Sequence, residues 1–194
     1  ALFLHEAIFN PVRDFAFVSK KEDDAAELVK RAEFIFDRIP ESKIPRRLLP
    51  KKETRAKPAA LIFPEIDSKI QGFPMGADQL RQFTFSGLLF DEAAFWENAE
   101  EAYSSAVPTI EGGGRLTLIS SPAPGFFKNI VFDQLDDGHR RISQPEHFPL
   151  DRFPMEGVEV WQNPSNKFVV FQLHYSADPK KRDPNWLENI RSSM

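Results

Sequence analysis

Leu88-Leu89-Phe90-Asp91-Glu92, continued by Ala93-Ala94-Phe95-Trp96, is the stretch on which the fold turns. A short apolar run bounded in this way reads as a buried strand. It ends in two adjacent carboxylates, and burying a charge is costly unless the charge is paired or holds a metal. Two acids at the end of a buried strand therefore point to a cation at the carboxyl edge of a sheet, which is where open α/β sheets bind ligands. The plainer reading is a pair of acids at the N-terminus of the following helix, which helix ends favour.

The next strand bears on that choice. Arg115 to Ile119 reads as a second buried strand, and it ends in Ser120-Ser121-Pro122, about 28 residues after the acids. The stretch between them reads as a helix from Phe95 to Val107, stopped near Pro108, and a turn at Gly112-Gly113-Gly114. A strand–helix–strand unit of this kind sets Asp91, Glu92, Ser120 and Ser121 at one sheet edge, where paired hydroxyls beside carboxylates could sense a phosphate. An ordinary turn before Pro122 is the simpler account of the two serines.

Outward from this pair, the pattern alternates. Leu2 to Phe9 predicts the end of a helix stopped near Pro11, and Phe15 to Val18 a short strand. Ser19 with Glu22 fits a capping box, Ser19 as N-cap and Glu22 at N3. Ala25, Leu28, Val29, Ala32, Phe36 and Ile39 follow at helical spacing, closed by Pro40. Residues 43–57 read as a basic connection containing proline. Ala59–Phe63 and Ser68–Phe73 suggest a hairpin across Pro64–Asp67, and a loop with Gly72, Pro74 and Gly76 leads to Arg81. Phe83 to Phe90 predicts a central strand. Beyond the serines come a helix over Phe126–Leu135 and a polar excursion over 136–157. A hairpin of Val158–Trp161 with Phe168–Tyr175 and a short helix, Asn185–Arg191, opened by Asp183-Pro184, complete the chain. Strands alternating with helices imply a three-layer α/β sheet.

Composition narrows the chemistry. The 194 residues suffice for one sizeable α/β domain, and 19 Phe against 2 Tyr make the aromatic content mostly core material. Lys and Arg total 25 against 29 acids, a net charge of −4, so there is no global nucleic-acid signature. The absence of Cys excludes disulfides, thiolate metal sites and Cys nucleophiles, and is compatible with a cytosolic setting. No apolar run approaches the ~18 residues of a membrane span. His5, His139, His147 and His174 show no metal-ligand spacing. Lys43, Arg46, Arg47, Lys51, Lys52, Arg55 and Lys57 stand against Glu53 alone, a local patch that could meet DNA phosphate or simply be a solvated loop.

With these residues in view, a family resemblance is definite. LLFDEAAFW (88–96) and VPTIEGGGRLTLISSPAPGFF (107–127) resemble the large terminase subunit of tailed bacteriophages, a DNA-packaging motor ATPase. FVSKKEDDAAELVKRAEFIFDRIP (17–40) is similar to the strand and helix after that family's phosphate-binding helix, and FQLHYSADPKKRDPNWLENIR (171–191) to the end of its ATPase domain. The resemblance implies a P-loop NTPase-like sheet of the ASCE, RecA-like kind, flanked by helices. It makes Asp91 the Walker B acid that holds Mg²⁺ and Glu92 the carboxylate that activates the hydrolytic water of ATP. Ser120 and Ser121 become the coupling motif. Arg81 takes the place of a trans-acting arginine finger, a group worth orders of magnitude in rate, although a solvated surface arginine is the simpler reading. The implied partners are double-stranded DNA, a portal protein, the small terminase subunit and further copies in a ring, in the cytoplasm of a bacterial host.

The departures from the family are as informative. No G-x-x-x-x-G-K-[ST] occurs in the chain, and Gly112-Gly113-Gly114-Arg115 enters a strand rather than opening a helix. By the resemblance the P-loop would lie just before residue 1, and the nuclease beyond the C-terminus. The expectation is thus a partial ATPase domain spanning 1–194, inactive in isolation. A DExx-type helicase or translocase fragment and a degenerate, non-catalytic interaction module are the competing readings.

Overall fold

A computed structural model of the chain describes residues 1–76, 80–110, 112–132, 156–163 and 165–193. The chain divides into two compact units, Ala1–Phe126 and Phe127–Met194.

In the first unit, helix α1 (Leu2–Phe9) leads to strand β1 (Asp14–Ser19), helix α2 (Glu22–Asp37) and the strands β2 (Glu53–Ala56), β3 (Ala59–Phe63) and β4 (Ser68–Pro74). Strand β5 (Gly87–Asp91), helix α3 (Ala99–Ile110) and strand β6 (Arg115–Ile119) follow. The six strands form one sheet in the order β2-β3-β4-β1-β5-β6. β4, β1, β5 and β6 run parallel, while β2 and β3 are antiparallel to their neighbours. A mixed α/β sheet, mostly parallel and flanked by helices, is the expected fold class.

Alternation along the strands sorts residues onto two faces. Phe15 stands beside Ile70 and Gly87, and Phe17 beside Gly72 and Leu89. This face receives α1 and α2. Phe3 of α1 lies 5.2 Å from Phe15 and 6.0 Å from Phe17, and Gly72 brings β4 against the α2 backbone at Ala25. Both glycines give room for a helix: a Cβ at Gly87 would stand 2.6 Å from Phe3 Cε1. On the other face lie Val18, Phe73, Leu88 and Phe90, covered by the rings of Phe83 and Phe85, by Trp96 and by α3.

Several local expectations are corrected. Ser19 does not cap α2. It is the last residue of β1, paired with Pro74 and buried, and its carbonyl accepts the Met75 N–H at 2.8 Å. Lys21 is the N-cap and makes no side-chain cap bond, so Glu22, Asp23 and Asp24 in the first turn meet the positive end of the helix instead. The strand expected from Phe83 begins only at Gly87, because Phe83 and Phe85 are used in a ring cluster with Phe73 and the Phe85 N–H is given to Thr109 of α3. β5 is also not central: it lies one strand in from the β6 edge. The connection over 43–57 contains a 3-10 turn, Arg46–Leu48, and the edge strand β2, all four of whose residues are exposed. A strand with no buried face leaves no period in the sequence. The helix expected from Phe95 begins at Ala99, after a 3-10 turn (Ala93–Phe95), and continues past Pro108 to Ile110.

In the second unit, helix α4 (Phe126–Val131) enters from the first unit, and strands β7 (Val158–Gln162) and β8 (Val169–Leu173) form the expected antiparallel hairpin. Asn163 and Trp161, each 1% exposed, close the open carbonyls at the end of α4. The Asn163 amide donates to Ile130 O at 2.8 Å and the Trp161 indole to Val131 O at 3.3 Å. Helix α5 (Pro184–Ser193) is capped by Asp183, whose carboxylate accepts the Asn185 N–H at 2.9 Å. The polar excursion up to residue 155, the tail of the expected 126–135 helix beyond Phe132, His139 and His147 lie outside the described residues. No described helix is long and apolar enough to cross a membrane.

Candidate active site

β5 carries Asp91 at its last position, paired with Ile119 at the end of β6. Both strands run parallel here, so Asp91, Glu92 and Ser120 meet at one edge, at the carboxyl ends of the strands. Strand alternation turns Asp91 to the face that bears α1 and α2. Its carboxyl group is half-buried and accepts no hydrogen bond among the described residues. Burial pushes its pKa above the ordinary carboxylate value, the Arg31 charge on α2 opposes this and Asp24 adds to it. Asp24 and Arg31 are seven residues apart, close to two helical turns, so one face of α2 bears both charges that act on Asp91.

The residue after Asp91 breaks the strand. Glu92 is exposed and left-handed, with φ 56° and ψ 36°, a conformation L-residues other than Asn and Asp rarely take. Its carbonyl accepts the Phe95 N–H at 3.0 Å, which closes the 3-10 turn. Ser120 Oγ accepts the Ala94 N–H at 3.0 Å, joining the end of β6 to this turn. The Trp96 indole donates to Asp91 O at 3.0 Å, and its ring packs on Phe90 with centroids 4.7 Å apart. Ala93 and Trp96 are buried beneath the turn. Glu92 is the N-cap residue of this 3-10 turn but makes no side-chain cap bond, and α3 starts only at Ala99.

The structure thus brings Asp91, Glu92 and Ser120 together. Ser121 follows on the exposed side of the same loop. Arg81 is placed elsewhere: its guanidinium donates to Ser105 Oγ of α3 at 3.0 Å, where Arg81, Phe83, Thr84 and Glu101 help line a cavity of about 510 Å³. Trp96, which the sequence marks only as apolar, proves to be bonded to the backbone of the acid pair. Its spacing from Asp91 within one short string is the only sequence signal for this.

A divalent cation fits this geometry in a particular way. Among the described residues no group of three or more His, Cys, Asp or Glu could form a metal cage. Magnesium is commonly held by one or two carboxylates together with water and substrate phosphates. Asp91, half-buried and without a hydrogen-bond donor, suits that role.

Four cations of the basic stretch have partners within the chain, although all seven except Lys52 are exposed. Arg46 donates to Asp37 O at 2.7 Å and to Phe36 O at 3.4 Å, supplying partners for carbonyls at the end of α2. Lys52 pairs with Glu33 at 2.7 Å and Asp37 at 2.6 Å. Burial pulls the Lys52 pKa down, and the bonds to Asp37 and Glu33 more than offset this, leaving it raised. Arg55 donates to Gln71 and to Pro58 O, and Lys51 pairs with Glu65.

No protein-family model matches the chain, and no curated protein matches it. Among solved structures, it is similar to the large terminase ATPase domain of Thermus phage P74-26, with a TM-score of 0.57 at 16% identity over 98% of this chain and 75% of that one. A mutant of the same domain gives a TM-score of 0.54 at 15% identity, over 98% and 75% of the two chains. At these identities the likeness is one of fold. The chain has the fold of a phage large-terminase ATPase domain, and its acid pair stands at the carboxyl end of a parallel strand in that fold.

Proposed function

We propose that this chain is the ATPase-motor segment of a terminase-like large subunit, which couples ATP hydrolysis to the packaging of double-stranded DNA into procapsids. The observation that carries the reading is the Asp91–Glu92 pair at the end of β5, with Ser120 of the neighbouring strand bonded into the turn that follows it.

In this reading Asp91 would hold Mg²⁺, which when bound would neutralise charge on the phosphates of ATP. Glu92 orients the attacking water and takes its proton. Its exposure leaves it within reach of a water molecule. Ser120 and Ser121 respond to the γ-phosphate and pass the change to β6 and the acid turn. Arg81 acts on the nucleotide of a neighbouring copy in a ring. DNA, a portal protein and a small terminase subunit are the partners, in the bacterial cytoplasm, and cations of the basic stretch that remain outward contribute salt-dependent DNA affinity.

These 194 residues contain no phosphate-binding loop, and the chain alone is expected to bind ATP weakly or not at all. Isothermal titration with Mg-ATP tests this: micromolar binding with measurable turnover by the chain alone would overturn it. The catalytic assignment is tested in full-length protein. Glu92→Gln should abolish packaging and hydrolysis while sparing the fold, and intact packaging would favour a non-catalytic module.

A further inference from the structure

We infer that Trp96 is a positioning residue for Glu92: its indole N–H fixes the peptide ahead of Glu92, while Ser120 fixes the turn behind it. The inference rests on the reading of Glu92 as the water-orienting group.

Glu92 sits in a conformation that its own backbone disfavours, and something must hold it there. The peptide joining Asp91 to Glu92 has its carbonyl at Asp91 O, and that oxygen accepts the Trp96 indole N–H. Holding this carbonyl fixes the peptide plane from which the Glu92 φ angle is measured. On the far side, the Phe95 N–H holds Glu92 O, and Ser120 Oγ holds the Ala94 N–H one residue earlier. Glu92 is therefore fastened on both flanks, and its carboxylate is left exposed.

Trp96 is suited to act as the fixed end. It is 5% exposed, and its ring lies on Phe90, itself 1% exposed and the residue immediately before Asp91. A buried indole N–H needs an acceptor, and here that need is met by the carbonyl adjoining Glu92. A tryptophan acting only as core filling would stabilise the sheet without governing this turn.

Two replacements separate the roles. Trp96→Phe keeps an aromatic ring on Phe90 and loses the donor. Replacing Trp96 by 3-benzothienylalanine keeps the bicyclic shape and removes only the N–H. In the whole 194-residue chain, amide exchange of Ala94 and Phe95 should quicken about five-fold, the worth of one ordinary hydrogen bond, while Phe17 and Val18 of β1 stay unchanged. Unchanged exchange at Ala94 and Phe95 would overturn the inference, as would an equal acceleration across β1.

Turnover in full-length protein gives the second readout. There both replacements should lower kcat about five-fold with KM unchanged. If Glu92→Gln abolishes turnover and the Trp96 replacements leave kcat intact, the positioning role is wrong while the catalytic reading stands. If Glu92→Gln leaves turnover intact, the catalytic reading fails, and with it the link from Trp96 to catalysis.

Discussion

Replacing Glu92 by glycine and by alanine isolates the strain at the acid turn. Both changes remove the carboxylate, so any difference between them reports the backbone. With φ at 56° and ψ at 36°, position 92 lies in the left-handed region, which costs an L-residue roughly 1–2 kcal/mol and glycine almost nothing. Glycine gives back about 0.5–1 kcal/mol through the greater freedom of its unfolded chain. The midpoints of the two ranges leave Glu92→Gly more stable than Glu92→Ala by about 0.75 kcal/mol. At an ordinary helical site the order is reversed, since glycine there is the less stable residue by about 1 kcal/mol. Urea unfolding followed by amide exchange in β1 and β5 measures the two variants in the first unit. If the alanine variant equals or exceeds the glycine variant, the turn is not strained, and the view of Glu92 as a residue held against its preference is refuted. A functional group retained at such a position is the pattern expected where strain serves a site.

Two further outcomes follow from the same unit. Gly87→Ala places a Cβ 2.6 Å from Phe3 Cε1 and 3.0 Å from Phe15 Cδ1, an overpacking that should cost about 1–3 kcal/mol; a loss below about 0.5 kcal/mol in urea unfolding, the range of an ordinary surface change, would show that α1 does not press on β5. Asp91 has a folded pKa raised above 3.8, chiefly by burial, so the native state binds this proton more tightly than the unfolded chain. Its unfavourable contribution is present in full above the raised value and is relieved as pH falls towards 3.8. Asp91→Asn should therefore flatten this part of the pH–stability curve and raise stability at pH 7, and a variant less stable than its parent at pH 7 would contradict the desolvation argument.

The sequence discloses the elements whose residues alternate between two environments. α2 and β7 carry such a pattern, β1 and β3 are legible instead as short apolar runs because both their faces are buried, and the strand end at Asp91 is marked by an abrupt change from apolar to acidic. It does not disclose elements whose signal is overridden by tertiary contacts. Ser19 and Glu22 are spaced as a capping box, yet pairing with Pro74 draws Ser19 into the sheet. Phe83 and Phe85 suit a strand, but their rings are more fully used against Phe73. β2 has no buried residue from which a period could be read. At the site, the placing of Asp91, Glu92 and Ser120 at one edge was legible from the strand–helix–strand spacing. The left-handed Glu92, the Trp96 bond to Asp91 O and the approach of α2 through Asp24 and Arg31 were not, since each depends on a dihedral angle or a contact between segments.

The strand order has a consequence in time. β3 and β4 are chain neighbours that pair across a short turn, and β2 adds directly to β3. Such local antiparallel pairs form in about 1–10 μs. β1 comes early in the chain, but of its partners β4 is the second strand of that hairpin and β5 comes after it. Its pairing closes long loops, and contacts of that kind are slow. β6 in turn can join only when β5 is in place. The edge at which Asp91 and Ser120 meet closes over residues 92–114, a shorter connection than either pairing of β1 spans. Mutations that weaken β3 or β4 therefore bear on the long closures made by β1, and those in β6 on the closure that brings Ser120 to Asp91.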